Sequence, residues 1–318
     1  MDFSICTGNH NNSASISDTV RFLKCALQEC GHTTRINQNP TLGAINILIE
    51  CFTDEASLKS VLDALGHGAR FVLVATEPII GGSFNGGIDK SHVHYSNAPY
   101  WKLRFDAFCL VAEMADAIWV LAEDMVPAYR ARFPRLPVHF LPHGWTVGFA
   151  TVPQRPEHER DIDFYFSGAL TEYRTRILSE LARKHSVVVN DHGTAEYIRQ
   201  DHLSRAKVCL SLRLSSANRI PSVSRMHFHL QNRSFLLGEA YALTGPLDPF
   251  VLTVTPEDLP AMAKAVLAID NRRALAEQAH DRFRAALPMS HLLPPLIEEL
   301  TERLQRTAAV NAPRAWAE

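Results

Sequence analysis

Short apolar runs recur along this chain with amphipathic segments between them, and that alternation restricts the fold more than any single motif. Ala44 to Glu50 (AINILIE), Ala69 to Thr76 (ARFVLVAT) and Ala117 to Leu121 (AIWVL) are runs of the kind that form strands buried on both faces. Phe3 to Cys6 is a weaker first strand, and Val138 to Leu141 a short last one. Between them, Ser17 to Cys30, Asp54 to Leu65, Tyr100 to Met114 and Glu123 to Phe133 read as helices, the last of them ended by Pro134 and Pro137. Strands that alternate with helices pair in parallel, so the first half predicts an open α/β sheet.

The alternation pauses after Pro142-His143-Gly144-Trp145. The stretch TVGFATVPQRPEHERD carries prolines, a charge cluster and few large apolar residues besides Phe149, which marks it as a linker. A second series follows. Asp163 to Phe166, Ser186 to Asn190, Val208 to Leu214, Phe235 to Gly238 and Phe250 to Val254 predict strands, with helices over Thr171 to Lys184, Ala195 to Ser204 and Val223 to Asn232. Further helices are expected over Pro256 to Ile269, Asn271 to Leu287 and Leu292 to Arg306. The expected fold is therefore α/β, with two Rossmann-like domains over 1–150 and 151–290 and a helical extension and tail over 291–318.

Length and composition agree with two cores: 318 residues, 46% hydrophobic and 21% charged. A net charge of -2 gives no electrostatic case for nucleic acid or an anionic membrane as the main partner. No apolar span is long enough to cross a bilayer, and MDFSICTGNH lacks the basic start and apolar run of a signal peptide, so a cytoplasmic protein is expected. The six cysteines are scattered without a C-x-x-C pair and read as free thiols. His92/His94 and His227/His229 lack a third ligand at metal-binding spacing. Asp161 and Asp163 precede their strand, where a D-x-D pair reads as a solvated strand entry, so no metal and no cofactor is expected.

The stretch from Val208 to Glu239 carries the densest chemistry. After its strand and a Ser/Asn/Pro loop, Ser222 and Ser224 are candidate N-caps of a helix whose first turn holds Arg225. A helix N-terminus offers free N–H groups and partial positive charge to a phosphate. Glu239 closes the next strand at its carboxyl end, the edge where open parallel sheets bind ligands. In the first half, Glu77 leaves its strand at the same kind of edge, ahead of the Gly-rich loop IIGGSFNGG; it is either a general base or a cap of the following segment. His10, in the first loop, is either a cleft-facing group or an ordinary loop histidine, and His143 stands beside the expected hinge.

The order of Arg225, Leu230, Asn232 and Glu239 within SRMHFHLQNRSFLLGE resembles bacterial glycosyltransferase-like proteins of the GT-B class. Ser167-Gly168 after DFYF, with Arg174 and Arg176 downstream, and the Pro-His-Gly before the linker fit the same likeness, which covers the second half well and the first by element order. The resemblance implies transfer of a sugar from a nucleotide-sugar donor to a glycan, lipid-linked, peptide or small-molecule acceptor. It implies that Ser167, Gly168, Arg174, Ser224 and Arg225 hold the diphosphate and that Glu239 accepts from ribose hydroxyls; His229, one helical turn after Arg225 and on the same face, is then in reach of phosphate or sugar. Gln231 stands where one retaining group carries a second glutamate, which weakens any claim of retention. Glu77, His10 and His143 are then the candidate bases. The alternatives are a nucleotide-sugar epimerase or other transferase on this architecture, or a non-catalytic binding module.

Overall fold

The computed structural model describes residues 1–9, 13–86, 95–191, 193–216, 218–219 and 222–311. His10, His92 and His94 lie outside the described residues. In chain order the first domain contains β1 (Asp2–Cys6), α1 (Ser13–Glu29), β2 (Thr33–Asn37), β3 (Ile45–Leu48), α2 (Glu55–Gly66) and β4 (Arg70–Ala75). It continues with β5 (Ile79–Ile80), β6 (Ser83–Phe84), α3 (Ala98–Ala112), β7 (Ala117–Val120), α4 (Val126–Arg132) and β8 (Val138–Phe140). Six strands form one parallel sheet in the order β2-β1-β3-β4-β7-β8, while β5 and β6 make a small antiparallel hairpin. The sequence reading did not separate β2. Its residues TTRIN bury mainly Thr34, because an edge strand has one neighbour and needs no apolar run.

The second domain holds β9 (Ile162–Ser167), α5 (Glu172–Ala182), β10 (Val187–Asn190), α6 (Glu196–Arg205), β11 (Ala206–Ser211), α7 (Val223–Gln231), β12 (Leu236–Glu239) and β13 (Leu252–Val254). Helices α8 (Leu259–Leu267), α9 (Arg272–Ala286), α10 (Met289–Leu292) and α11 (Pro294–Asn311) follow. Its five strands are parallel in the order β10-β9-β11-β12-β13. In each sheet the order reverses beside the first strand, between β1 and β3 and between β9 and β11, which opens a crevice at the carboxyl edge.

The expected linker is packed rather than loose. Phe149 is fully buried, and Asn232 Oδ1 accepts the N–H groups of Thr151 and Val152 at 3.0 and 3.1 Å. Gln154 Nε2 donates to the Asn232 carbonyl at 2.6 Å. One apolar core runs through both domains, joining Phe3, Ile5 and Phe22 to Phe149, Met226 and Phe228. Ile297 and Leu300 of α11 join that core, so the C-terminal helix returns to the first domain instead of extending away.

Gly144 sits where the crossings meet. Its carbonyl lies 2.9 Å from His227 Nε2 and accepts from Gln231 Nε2 at 3.4 Å, and a Cβ there would stand 2.3 Å from the Leu287 carbonyl oxygen. The next residue, Trp145, donates its N–H to that carbonyl at 2.7 Å and accepts from the Met289 N–H at 2.8 Å. Backbone on both sides cannot yield cheaply. Gly144→Ala is expected to lower unfolding free energy by about 2 kcal/mol or more, read by urea denaturation.

Candidate functional site

A cleft of about 810 Å³ lies between the domains, with Asp18 and Arg21 of α1 on one wall and Ser167, Gly168, Ser224 and Arg225 on the other. Asp18 and Arg199 bridge it as a bidentate ion pair at 2.7 and 2.9 Å. Ser224 Oγ comes within 3.4 Å of Thr19 Oγ1 across the same gap. Helix α7 brings the second wall to the cleft. Ser222 precedes it without a side-chain cap bond, and Val223 packs against the cores on both sides.

Two arginines converge here. Arg225 donates Nε–H to the Ser167 carbonyl at 2.9 Å and stands over the Phe166 ring at 5.0 Å. Arg174 stands over the same ring at 5.1 Å. Neither forms an ion pair with a carboxylate among the described residues. Burial, followed by the charge of Arg225, pulls Arg174 down to about 9, and burial also lowers Arg225. Two neighbouring guanidiniums that cost energy to keep charged form a prepared anion site.

Gly168 makes this proximity possible. Its φ is +138°, and a Cβ would lie 2.5 Å from Arg225 Nη2 and 3.5 Å from Arg174 Nη1. Its own N–H donates to the Asn190 carbonyl at 2.9 Å, so the glycine supplies space rather than the expected phosphate donor. The three nitrogens of Arg174 donate to the carbonyls of Ala169, Leu212 and Arg213 at 2.8 to 2.9 Å. That guanidinium braces the loops after β9 and β11 and offers charge, not an open fork. Arg225 keeps Nη2 uncommitted among the described residues.

Three expectations need correction. His229 is 0% exposed, edge-on to Tyr165 with ring centroids 6.2 Å apart, and burial brings it down to about 3. A residue four positions after Arg225 stands about 40° further round the helix, which turns His229 inward and leaves Phe228 on the cleft wall. Glu239 is also 0% exposed: Oε1 accepts from the Tyr173 hydroxyl and Oε2 from the Arg213 N–H at 2.6 Å. Its carboxylate ties β12 to the loop after β11 and is closed to a ribose. His143 lies in the interdomain core, stacked on Phe22 at 4.9 Å and brought down to about 4 by burial, so it faces no acceptor.

Glu77 does sit at the carboxyl edge of β4. Oε2 accepts from Asn85 Nδ2 at 2.7 Å, and Oε1 accepts from both Nη atoms of Arg104 at 3.3 Å. Burial raises its carboxyl, while Arg104 opposes the rise. Sequence reading passed over Arg104 and Asn85, because an arginine within a helix and an asparagine in a glycine-rich loop carry no signal of their own. Asp161 pairs with Arg205 at 2.6 Å ahead of β9, whereas Asp163 falls inside β9 and pairs with Lys207 at 2.7 Å.

No family model matches the chain, and no curated protein does. Its fold is similar to that of a DNA-modifying β-glucosyltransferase determined with and without uridine diphosphoglucose, at 10% identity and TM-score 0.55, over 95% of this chain and 100% of that one. It is similar also to the phage T4 enzyme in complex with its UDP-glucose substrate, at 11% identity and TM-score 0.52, over 98% and 100%. The N-terminal domain of Candida albicans trehalose-6-phosphate phosphatase matches at 11% and 0.52, over 95% and 96%. The chain spans 54% of the length of TarM, with which it shares 12% identity at TM-score 0.49. The three likenesses with TM-scores above 0.5 carry the fold: two Rossmann-like domains in the GT-B arrangement, as the sequence led us to expect.

Proposed function

We propose that this chain is a glycosyltransferase that holds a nucleoside diphosphate sugar in the interdomain cleft. The supporting observation is the pair of a buried Arg174 and a half-buried Arg225, without a carboxylate partner among the described residues, beside the N-terminus of α7. When a sugar departs from its diphosphate, negative charge grows on the leaving oxygen, and a guanidinium already in place stabilises it without reorganisation. Arg225 makes the contact through Nη2, Arg174 supplies field, and Ser222 and Ser224 add hydroxyls near the first N–H groups of α7. This set needs no metal. The two neighbours solved with their UDP-glucose substrate favour a nucleotide-sugar donor. A net charge of -2 gives no reason to carry a DNA acceptor over to this chain. The acceptor is a glycan, lipid-linked, peptide or small-molecule hydroxyl presented by the first domain.

A thermal-shift screen of nucleoside diphosphates and their sugars tests the donor assignment. A ligand at 100 times its Kd adds about 2.7 kcal/mol to the folded state, so one base series is expected to raise Tm by several degrees. No shift from any member overturns the proposal. Mass spectrometry with the selected donor then separates the alternatives: an acceptor one glycosyl unit heavier marks transfer, an isomerised donor marks an epimerase, and an unchanged donor a binding module.

A further inference from the structure

Backbone strain points to a second charged centre, on the first domain. Among the described residues, three non-glycine residues have positive φ: Glu50 at 57°, Asn85 at 51° and Arg233 at 52°. Such conformations are strained for a residue with a side chain and persist where the surroundings fix it. Glu50 and Asn85 fix the same cluster. Asn85 donates Nδ2–H to Glu77 at 2.7 Å, and its own N–H to the Pro78 carbonyl at 3.0 Å. Glu50, just beyond β3, accepts from Thr76 Oγ1 through Oε1. Its Oε2 stands 2.6 Å from Arg104 Nη2, an ion pair out of line for a hydrogen bond. Arg104 stands over the Trp101 ring at 4.7 Å and reaches Glu77 at 3.3 Å. One guanidinium therefore serves two carboxylates. Glu50 is sealed at 2% side-chain exposure, while Glu77 keeps 24%.

This cluster borders a core that the start of α7 also packs against. The Tyr95 hydroxyl feels the charges of Glu77 and Arg104 and also those of Arg174 and Arg225. Val223, at the start of α7, packs against the core that Tyr95 and Tyr100 also join. We propose that Glu77 takes the acceptor's proton, and that Glu50, acting through Arg104, is the positioning residue that keeps it competent to do so. This rests on the donor assignment above. In the step, the acceptor hydroxyl gives its proton to the Glu77 carboxylate while its oxygen bonds to the anomeric carbon. The bond from that carbon to the diphosphate oxygen breaks, and its electron pair leaves with the diphosphate toward Arg225. A single displacement inverts the anomeric centre.

The charge balance explains why Glu50 matters. Its 2.6 Å contact engages Arg104 more closely than the 3.3 Å contact to Glu77. Burial raises the Glu77 carboxyl, Arg104 opposes this, and repulsion from Glu50 adds to the rise. The other titratable groups around it are Tyr95, Tyr100 and Tyr129, all pushed up and neutral; the Tyr129 hydroxyl donates to the Glu77 backbone carbonyl at 2.7 Å. With Glu50 neutral, Arg104 turns to Glu77 and makes it a weaker base.

The test follows the Glu77 carboxyl by infrared titration of the unliganded full chain, assigned by its loss in Glu77→Gln. It is expected to titrate above the usual glutamate value near about 4.3, and to move down in Glu50→Gln. A titration at or below about 4.3 in the parent, or an unmoved one in Glu50→Gln, overturns the proposal. In parallel, release of nucleoside diphosphate from the screened donor is expected to fall about 100-fold or more in Glu77→Gln, while calorimetric affinity for that diphosphate holds. Retained turnover in Glu77→Gln also overturns it. Should Glu50→Gln not fold, Glu50→Asp is expected to keep the raised titration, and a lowered one counts against the proposal. A parent that binds no nucleoside diphosphate refutes the donor assignment instead.

Discussion

Arg225→Met is expected to weaken binding of the matching nucleoside diphosphate by about 100-fold, close to 3 kcal/mol, measured by isothermal titration calorimetry. A charge-assisted hydrogen bond is worth about 1.5–3 kcal/mol, and the bond from Nη2 is lost together with the local positive field. Methionine keeps an unbranched apolar stem over Phe166, so packing changes little. Stability is expected to respond differently. Arg225 is a half-buried cation beside a buried one, and its removal relieves Arg174, whose descent to about 9 has burial and then Arg225 as its leading causes. The ligand-free Tm of Arg225→Met should therefore hold or rise while affinity falls, the usual trade between a prepared site and a stable one. Arg225→Lys is not expected to rescue binding, because one ammonium cannot hold the Ser167 carbonyl and reach a phosphate together. Unchanged affinity in Arg225→Met contradicts the site assignment.

The second large effect is in pH. His143, His227 and His229 are buried and held neutral, His143 down to about 4, His229 down to about 3 and His227 well below its ordinary value. Burial is the first cause in each. Beyond it, His143 disfavours a charge on His227, and Arg225 and Arg199 disfavour one on His229. A base with a depressed folded pKa contributes full stability above its unfolded value near 6.5 and loses it as pH falls toward the folded value. At pH 5, His143 and His229 each forfeit about 2 kcal/mol, a large share of the 5–15 kcal/mol typical of a folded protein. Urea denaturation is expected to show a steep fall in unfolding free energy between pH 7 and pH 5. His229→Leu should lessen that fall by about 2 kcal/mol. A fall of the same size in His229→Leu would show that this ring is not held neutral.

The histidines also show where the sequence stops being legible. His227 and His229 look alike in SRMHFHLQNRSFLLGE, but what each touches depends on how α7 is rotated and on what crosses it. His227 meets Gly144 and Phe22 from the first domain, partners that no local pattern reveals. The apolar runs were legible because strands buried on both faces must be apolar along their length, and so the two parallel sheets followed from AINILIE, ARFVLVAT and DFYF. The polar edge strand TTRIN did not follow, for the opposite reason. Arg225 at a helix start and the Ser167-Gly168 loop after a strand stand where the sequence pattern placed them, and they line the cleft. Glu239 was placed correctly at the carboxyl end of β12, but its partners Tyr173 and the Arg213 N–H come from distant loops, and they close it off. Glu50 was invisible: it reads as the last residue of AINILIE, and only the backbone conformation sets it apart.

The most direct test of the central claim is a crystal structure of the full chain with the nucleoside diphosphate selected by thermal shift. The diphosphate is expected between the domains, with an oxygen in hydrogen-bond reach of Arg225 Nη2 and of the first N–H groups of α7, and with Glu77 across the gap from the sugar end. A diphosphate bound elsewhere, or one that leaves Arg225 without contact, contradicts the account.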